Sequence, residues 1–462
     1  MFIGRERELG ELTEKLNNDR FESILIYGRR RIGKTELIKE SAKSFKGTYI
    51  YYECKRSLLG DNIDGLNEEL RRILNVHFTF NSVKDALAYV FDYAKEHKVL
   101  LVIDEFPFLW ETLPVIVSDI RDLIDRYKSQ SDMKFILSGS YVDVMKSLND
   151  GESETYGRFT CIMPLNAFDY YDASKFYPDY SNEDKLLMYS VFGGVAFFNS
   201  LIDNTKSARE NIERLLIEPN SILQLEIEHT ISAETSKIPA VNSVVELIGE
   251  GVTKYTDLVN GLSSKSGTKV NPDYLIKKLI ELEIIEKVAP INDKKNRKRI
   301  FYRFRDNLME FYYHYIYRNK NMNSILTADD FYSEIIETDL KEKYLPKKFE
   351  SVSREFLIRA NKAHKIFPLI YEIGTYSYDD AKRKINRQFD VVTRDKNGYI
   401  SYECKYTDGL VGKAVIAEEE YQIISSELNV YKLGFISKSG FADGIDRNKY
   451  NLFCLKDFYD FN

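Results

Sequence analysis

Cysteine is scarce and scattered. The 462-residue chain has four, Cys54, Cys161, Cys404 and Cys454, with no CxxC pair among them. That spacing argues against a disulfide framework or a cysteine-built zinc site, and it suits a reducing cytosol. Histidine offers no metal pattern either: His77, His97, His229, His314 and His364 do not pair at ligand spacing. Long apolar runs are missing, and the longest, such as VLLVI at 99–103, are far too short to span a bilayer. The N-terminal stretch MFIGRERELGELTEKL lacks the apolar segment of a secretory leader, so none is expected. Positive charge is in deficit, with 66 Lys and Arg against 72 Asp and Glu and a formal net charge of −6. Such a chain is a poor general polyanion binder, so any nucleic-acid contact must come from a local basic patch. These absences predict a soluble, cytoplasmic protein without membrane contact. Its chemistry must rest on carboxylates, lysines, backbone amides or a phosphate-bound metal.

What is present is apolar and multidomain. Hydrophobic residues make up 44% of the chain, enough for several cores, and its length corresponds to about three domains. No internal repeat, Pro-rich linker or low-complexity tract marks the boundaries, which are therefore soft. Residues 1–165 alternate strand and helix signals: ESILIYG (22–28), GTYIYYEC (47–54), VLLVIDE (99–105) and KFILSGS (134–140) read as strands. That alternation implies a parallel sheet with helices on both faces. Residues 166–235 turn helical, 236–310 read as three short helices and a basic hairpin, and 311–345 are helical and aromatic. Residues 346–462 return to mixed α/β, with strands in LIYEIGTY, FDVVTR, YISYECKY and KLGFIS.

The strongest motif is Gly28-Arg29-Arg30-Arg31-Ile32-Gly33-Lys34-Thr35, a full GxxxxGK[ST] match between a strand and a helix. Glycines let backbone N–H groups curl around a β-phosphate without side chains in the way. Lys34 is expected on the β/γ oxygens of ATP and Thr35 on Mg²⁺, with the helix N-terminus adding partial positive charge. In LLVIDE, Asp104 is the candidate to hold Mg²⁺ through water and Glu105 to polarise the attacking water. The strand KFILSGS offers Ser138 or Ser140 to the γ-phosphate region.

FIGRERELGELTEKL, GRRRIGKT, LVIDEFPFL, ILSGS and ETYGR occur in an order that resembles the archaeal-type P-loop ATPases, relatives of the AAA+ and STAND ATPases. The resemblance implies that Phe2 to Arg5 lie near the adenine and that Ser140 is the polar sensor. It also implies that Arg158 points at the γ-phosphate of its own or a neighbouring subunit, which brings a possible homo-oligomer with it. FGGVAFF (192–198) is similar to the family's Gly-Gly-hydrophobic-Pro turn, with Ala196 where proline is usual.

Residues 241–303 read as helices in VNSVVELIGEG, YTDLVNGL and NPDYLIKKLIELEIIEKV, followed by a strand pair around NDKKNRKR. Pro272 and Asp273 open the third helix. The hairpin tip carries Lys294, Lys295, Arg297, Lys298 and Arg299, a local basic patch. A helix-turn-helix with a wing commonly reads duplex DNA, third helix in the major groove and wing on phosphates. Lys277 and Lys278 favour that use, and Glu281, Glu283 and Glu286 oppose it. The resemblance also places a winged helix here.

In the last segment, QFDVVTR contains Asp390 and YISYECKY contains Glu403 and Lys405. Residues two apart on a strand share a face, so Glu403 and Lys405 are expected together, with Cys404 on the other side. Two carboxylates there can bind Mg²⁺ while the lysine orients a water for phosphodiester hydrolysis. The pattern resembles the PD-(D/E)xK nucleases, which add a glutamate from the preceding helix: Glu350, with Glu355 as the alternative. Gln388 stands where the fused domains usually have an acid. A second YECK, at 52–55, has no upstream Asp hairpin and reads as an ordinary strand of the first sheet.

The expected architecture is α/β: a P-loop NTPase parallel sheet (1–165), a helical lid (166–235), a winged helix (236–310), a helical connector (311–345) and a mixed α/β restriction-endonuclease-like domain (346–462). The expected activity is Mg²⁺-dependent ATP hydrolysis that controls a DNA-binding and possibly DNA-cleaving module. The alternatives are a STAND-type signalling switch and a nucleotide-holding DNA-binding regulator whose nuclease-like domain is inactive.

Overall fold

The computed structural model describes residues 2–235, 241–268, 270–380, 385–424 and 430–461. The chain divides into two compact units, 1–167 with 195–197, and 168–194 with 198–462.

The first unit is built on a five-stranded sheet: β1 (Glu22–Tyr27), β2 (Thr48–Glu53), β3 (Val99–Asp104), β4 (Lys134–Gly139) and β5 (Cys161–Pro164), in the order β2-β3-β4-β1-β5. Every pairing is parallel. β1, β3 and β4 are buried along their whole length. Helices must therefore cover both sheet faces, which is why these strands read as continuous apolar runs rather than alternating ones. Helix Val83–Tyr93 starts where the Ser82 side chain accepts from the Asp85 N–H, satisfying one of the orphan donors of the first turn. Its apolar stripe, Val83, Ala86, Leu87, Val90 and Phe91, joins a core with Leu101, Phe135 and Ile120.

In the second unit, helices Val241–Gly249, Tyr255–Ser266 and Asp273–Glu281 precede an antiparallel pair, β6 (Ile285–Val288) and β7 (Phe301–Phe304). The aromatic stretch that follows is helical, with a wider-wound turn over Tyr312–Ile316. The long helix Leu345–Lys362 then leads into a second sheet: β8 (Glu372–Asp380), β9 (Ile385–Asp395), β10 (Gly398–Lys405), β11 (Val430–Ser437) and β12 (Tyr450–Cys454), ordered β12-β11-β10-β9-β8. β8, β9 and β10 pair antiparallel; β10, β11 and β12 pair parallel. The parallel step from β10 to β11 needs a crossover, and helix Lys413–Ile424 lies in that connection. β5 and β12 have no counterpart among the strands expected from the sequence. The first is four residues long and buried only at alternate positions, and the second is short and half-exposed.

Candidate functional site

The phosphate loop leaves β1 at its C-terminal end. A Cβ on Gly28 would lie 2.3 Å from the Leu165 carbonyl oxygen, so only glycine fits beside that neighbour. Gly33, at φ +98, caps helix Lys34–Ala42 in a conformation that L side chains rarely adopt. Arg31 is also left-handed (φ 64). Its guanidinium lies 4.1 Å from the Phe197 ring centroid, and its carbonyl accepts from the Phe197 N–H at 3.3 Å. The turn around Ala196 thus lies against the loop within the first unit. Ile32 is buried, whereas Arg29 is half-buried and Arg30 exposed. Arg5, itself left-handed and buried, donates to the carbonyls of Ile32 (3.3 Å) and Asn166 (2.6 Å), tying the N-terminal segment to the loop.

Lys34 is buried, and its ammonium donates to the Gly28 (3.0 Å) and Arg29 (3.4 Å) carbonyls, 4.0 Å from Glu105 Oε1. Burial pushes its pKa down, and the charges of Glu105 and Asp104 push it back up. Thr35 Oγ1 donates to Asp104 Oδ2 at 2.7 Å. Asp104 also accepts from the Tyr51 hydroxyl on Oδ2 (2.8 Å) and from the Glu105 N–H on Oδ1 (2.9 Å). Glu105 accepts from the N–H (3.1 Å) and hydroxyl (2.7 Å) of Ser140 on Oε2. Of the two serines on KFILSGS, Ser140 therefore reaches the site, while Ser138 is wholly buried in β4. The arrangement gathers a cation, a hydroxyl and two carboxylates at one end of a parallel sheet, where such folds bind ligands. Sequence reasoning missed Tyr51, and its place on the alternating strand β2 was the only signal for it.

Arg158 lies elsewhere. β5 aligns with β1 so that Cys161 pairs with Ile24, and Ser23 Oγ donates to the Arg158 carbonyl. Ser23 is at the start of β1 and Gly28 is beyond its other end, a span of about 16 Å at roughly 3.3 Å per residue. The side chain pairs with Asp125 Oδ2 (3.2 Å) and donates to the Tyr156 carbonyl (2.8 Å). The expectation that Arg158 addresses the γ-phosphate of its own subunit is therefore corrected: no arginine side chain covers that distance.

The second unit carries the other carboxylates. Lys405 donates to Glu403 Oε1 (2.8 Å) and to Glu419 Oε1 (2.7 Å), so Glu403 and Lys405 do share a face. Glu419, on the crossover helix, escaped the sequence reading, because nothing local links it to a strand fourteen residues back. Gln388 donates to Asp390 Oδ1 at 2.7 Å. Arg354, one turn after Glu350, donates to the Asp390 carbonyl (2.9 Å) and to Ser351 Oγ (2.8 Å). Burial, then the charge of Asp390, raises the Glu350 pKa to about 7, with Glu403 adding to the shift and Arg354 opposing it. Burial likewise raises Glu403, against the pull of Lys405. Glu355 belongs to a different neighbourhood: the Tyr189 hydroxyl donates to it at 2.8 Å and the Tyr170 N–H at 3.2 Å. Among the described residues, no three His, Cys, Asp or Glu side chains are gathered closely enough to hold a metal ion.

The hairpin tip is partly committed within its own unit. The Ile291 N–H donates to the Thr375 carbonyl (2.8 Å), and Asn292 exchanges hydrogen bonds with the Ser377 carbonyl (2.9 Å) and N–H (3.2 Å). Lys294 pairs with Glu372, and Arg299 donates to the Ser377 carbonyl (3.1 Å) and pairs with Asp293 (3.4 Å). Of the five residues of the expected basic patch, Lys294 and Arg299 are thus engaged within the unit, while Lys295, Arg297 and Lys298 are exposed. An edge strand presents unpaired backbone groups, and on β8 this loop covers them. On the third helix, Lys277 and Lys278 lie 3.8 and 3.6 Å from Glu281.

Residues 2–197 match a family described as an ATPase domain predominantly from Archaea. Residues 312–423 match a family described as archaeal and bacterial proteins of unknown function. An uncharacterized protein of Methanocaldococcus jannaschii is 29% identical over 378 residues, 81% of this chain and 82% of that protein. An uncharacterized ATP-binding protein of the same organism is 46% identical over 46 residues, 10% of this chain and 78% of its own length. A Walker-type ATPase of Pyrococcus abyssi shares the fold, with a TM-score of 0.51 at 16% identity over 68% of this chain and 96% of that one. No helix among the described residues is long and apolar enough to cross a membrane. With its phosphate loop, its strand-end Asp-Glu pair and the family match over the same residues, the segment 2–197 is an archaeal-type P-loop ATPase domain, and the chain is an ATPase.

Proposed function

We propose that ATP binding and hydrolysis in the first unit control a DNA-engaging module in the second, made of a winged helix and a nuclease-like domain. The observation that carries this reading is the docking of the hairpin loop on β8. It makes one body of the exposed cations Lys295, Arg297 and Lys298 and the sheet bearing Asp390, Glu403 and Lys405. Cations at a hairpin tip suit a phosphate backbone. Thr35 and Asp104, already in hydrogen-bond contact, fit Mg²⁺, which when bound would offset the charge of the β- and γ-phosphates. Lys34 binds those oxygens, Glu105 orients the attacking water, and Ser140 holds Glu105 in place. Arg158 is then a finger for a neighbouring chain, consistent with its distance from its own loop. The test is ATP turnover with and without duplex DNA. Stimulation by DNA supports the reading. Unchanged turnover without detectable binding overturns it, and nucleotide-driven assembly in the absence of DNA would favour a signalling switch.

A second reading, metal-dependent cleavage by the nuclease-like domain, is favoured by Glu403 and Lys405 sharing one face of β10 and by a Glu350 carboxyl that burial first, and then the charge of Asp390, raises to about 7. Carboxylates that crowd one another hold a proton until a cation relieves them. On this reading Asp390→Ala abolishes Mg²⁺-dependent nicking and leaves ATP turnover intact. Nicking that survives the substitution would assign the activity elsewhere.

A further inference from the structure

We infer that Tyr51 is a positioning residue of the ATP site, orienting the Asp104 carboxylate toward Thr35. The inference rests on the reading of Asp104 as a ligand to Mg²⁺ through water. Asp104 is 1% exposed, and a buried carboxylate must be supplied with donors. It accepts from three groups: the Thr35 hydroxyl, the Tyr51 hydroxyl and the Glu105 N–H. When the Thr35 hydroxyl turns to a metal ion, Tyr51 and the Glu105 N–H remain. One acts on Oδ2 and the other on Oδ1, so together they set the plane of the carboxylate, which a single donor does not.

The backbone delivers Tyr51 to this place. Tyr51 pairs with Val102 and Glu53 pairs with Asp104 in parallel register, so residue 51 lies diagonally across the strands from residue 104 on neighbouring β3. Such diagonal neighbours are within reach of a long aromatic side chain. The ring is held on its own account, 6.4 Å from the Tyr49 ring centroid and 5.6 Å from the Lys39 ammonium. Tyr51→Phe therefore removes the hydroxyl and keeps the packing.

The experiment titrates Mg²⁺ against wild type, Tyr51→Phe and Asp104→Asn, reading both turnover and the binding of a fluorescent ATP analogue. In Tyr51→Phe the half-saturating Mg²⁺ concentration should rise by about tenfold, the size expected for one hydrogen bond to a charged group. Analogue binding in EDTA should match wild type, and turnover at saturating Mg²⁺ should recover. A wild-type Mg²⁺ profile in Tyr51→Phe, with a shifted profile in Asp104→Asn, overturns the positioning role alone. An unshifted profile in Asp104→Asn overturns the metal reading of Asp104 and this inference with it. Equal loss of analogue binding with and without metal in Tyr51→Phe would mark a structural role and also overturn it.

Discussion

The tetrapeptide Tyr-Glu-Cys-Lys occurs twice, at 52–55 and 402–405, and the two copies have different fates. In the first, Glu53 ends β2, and both Glu53 and Lys55 are exposed. Cys54 is buried, its N–H donating to the Asp104 carbonyl at 2.8 Å, and the Tyr52 hydroxyl donates to Asn62 at 2.9 Å. In the second copy the glutamate and lysine are half-buried and joined to each other and to Glu419. The alternation of faces is the same in both. The difference is position: β2 is an edge strand of its sheet, whereas β10 is third of five, with a crossover helix after it. A charged pair at a sheet edge is solvated and contributes little, whereas one in a sheet centre must find partners.

The two neighbourhoods should differ most in catalysis. Beside the first copy, Lys34→Ala should abolish ATP binding. On the proposed role of Glu105 in orienting the water, Glu105→Gln should keep binding and lower turnover by about 100-fold or more. Neither effect should follow from Asp390→Ala beside the second copy. Parallel nucleotide-binding and single-turnover assays read both, and wild-type turnover in Glu105→Gln would remove its catalytic assignment.

Next in size is a contrast in stability. Lys405→Ala leaves Glu403 and Glu419 facing each other without a cation and should cost about 2 kcal/mol. Lys55→Ala, at a solvated turn, should stay within about 0.5 kcal/mol of wild type. Denaturant unfolding of the full chain measures both. Equal costs would mean that the two copies differ in appearance only.

The surroundings of the second copy should also respond to pH. Glu350 titrates at about 7 in the folded chain, against about 4.3 when unfolded. A folded pKa raised this way gives stability that is fully present below pH about 4 and lost as pH rises through 7. Glu350→Gln should therefore lose less stability than wild type between pH 5 and pH 8. Burial also raises Glu355 to about 7, so the comparison must be made as a difference between variants. Identical pH profiles for Glu350→Gln and wild type would show that neither burial nor the neighbouring carboxylates raise Glu350.

The smallest effect is at the hairpin tip. Replacing Lys295, Arg297 and Lys298 with glutamine should leave unfolding within about 0.5 kcal/mol of wild type. It should also flatten the log–log salt dependence of duplex binding by about 0.9 for each phosphate that is no longer neutralised. Extending the change to Lys294 and Arg299 should add little to that slope, because Glu372 and Asp293 already hold them. A slope unchanged by the first three would mean that the tip meets no phosphate.

The phosphate loop, four of the five parallel strands around it and the alternation that puts Glu403 beside Lys405 were legible in the chain. Each is carried by contiguous residues, through glycine backbone freedom, apolar runs or a two-residue period, and needs no knowledge of what packs nearby. The rest came from tertiary packing. Sheet register set Arg158 at the far end of β1 from the loop, and strand order made one YECK an edge and the other a centre. A crossover helix supplied Glu419, an edge strand took the hairpin tip, and a diagonal across β2 and β3 brought Tyr51 to Asp104. These contacts join residues separated by 14 to 135 positions in the chain, and burial and charge pairing over such separations are fixed by packing, which no local pattern encodes.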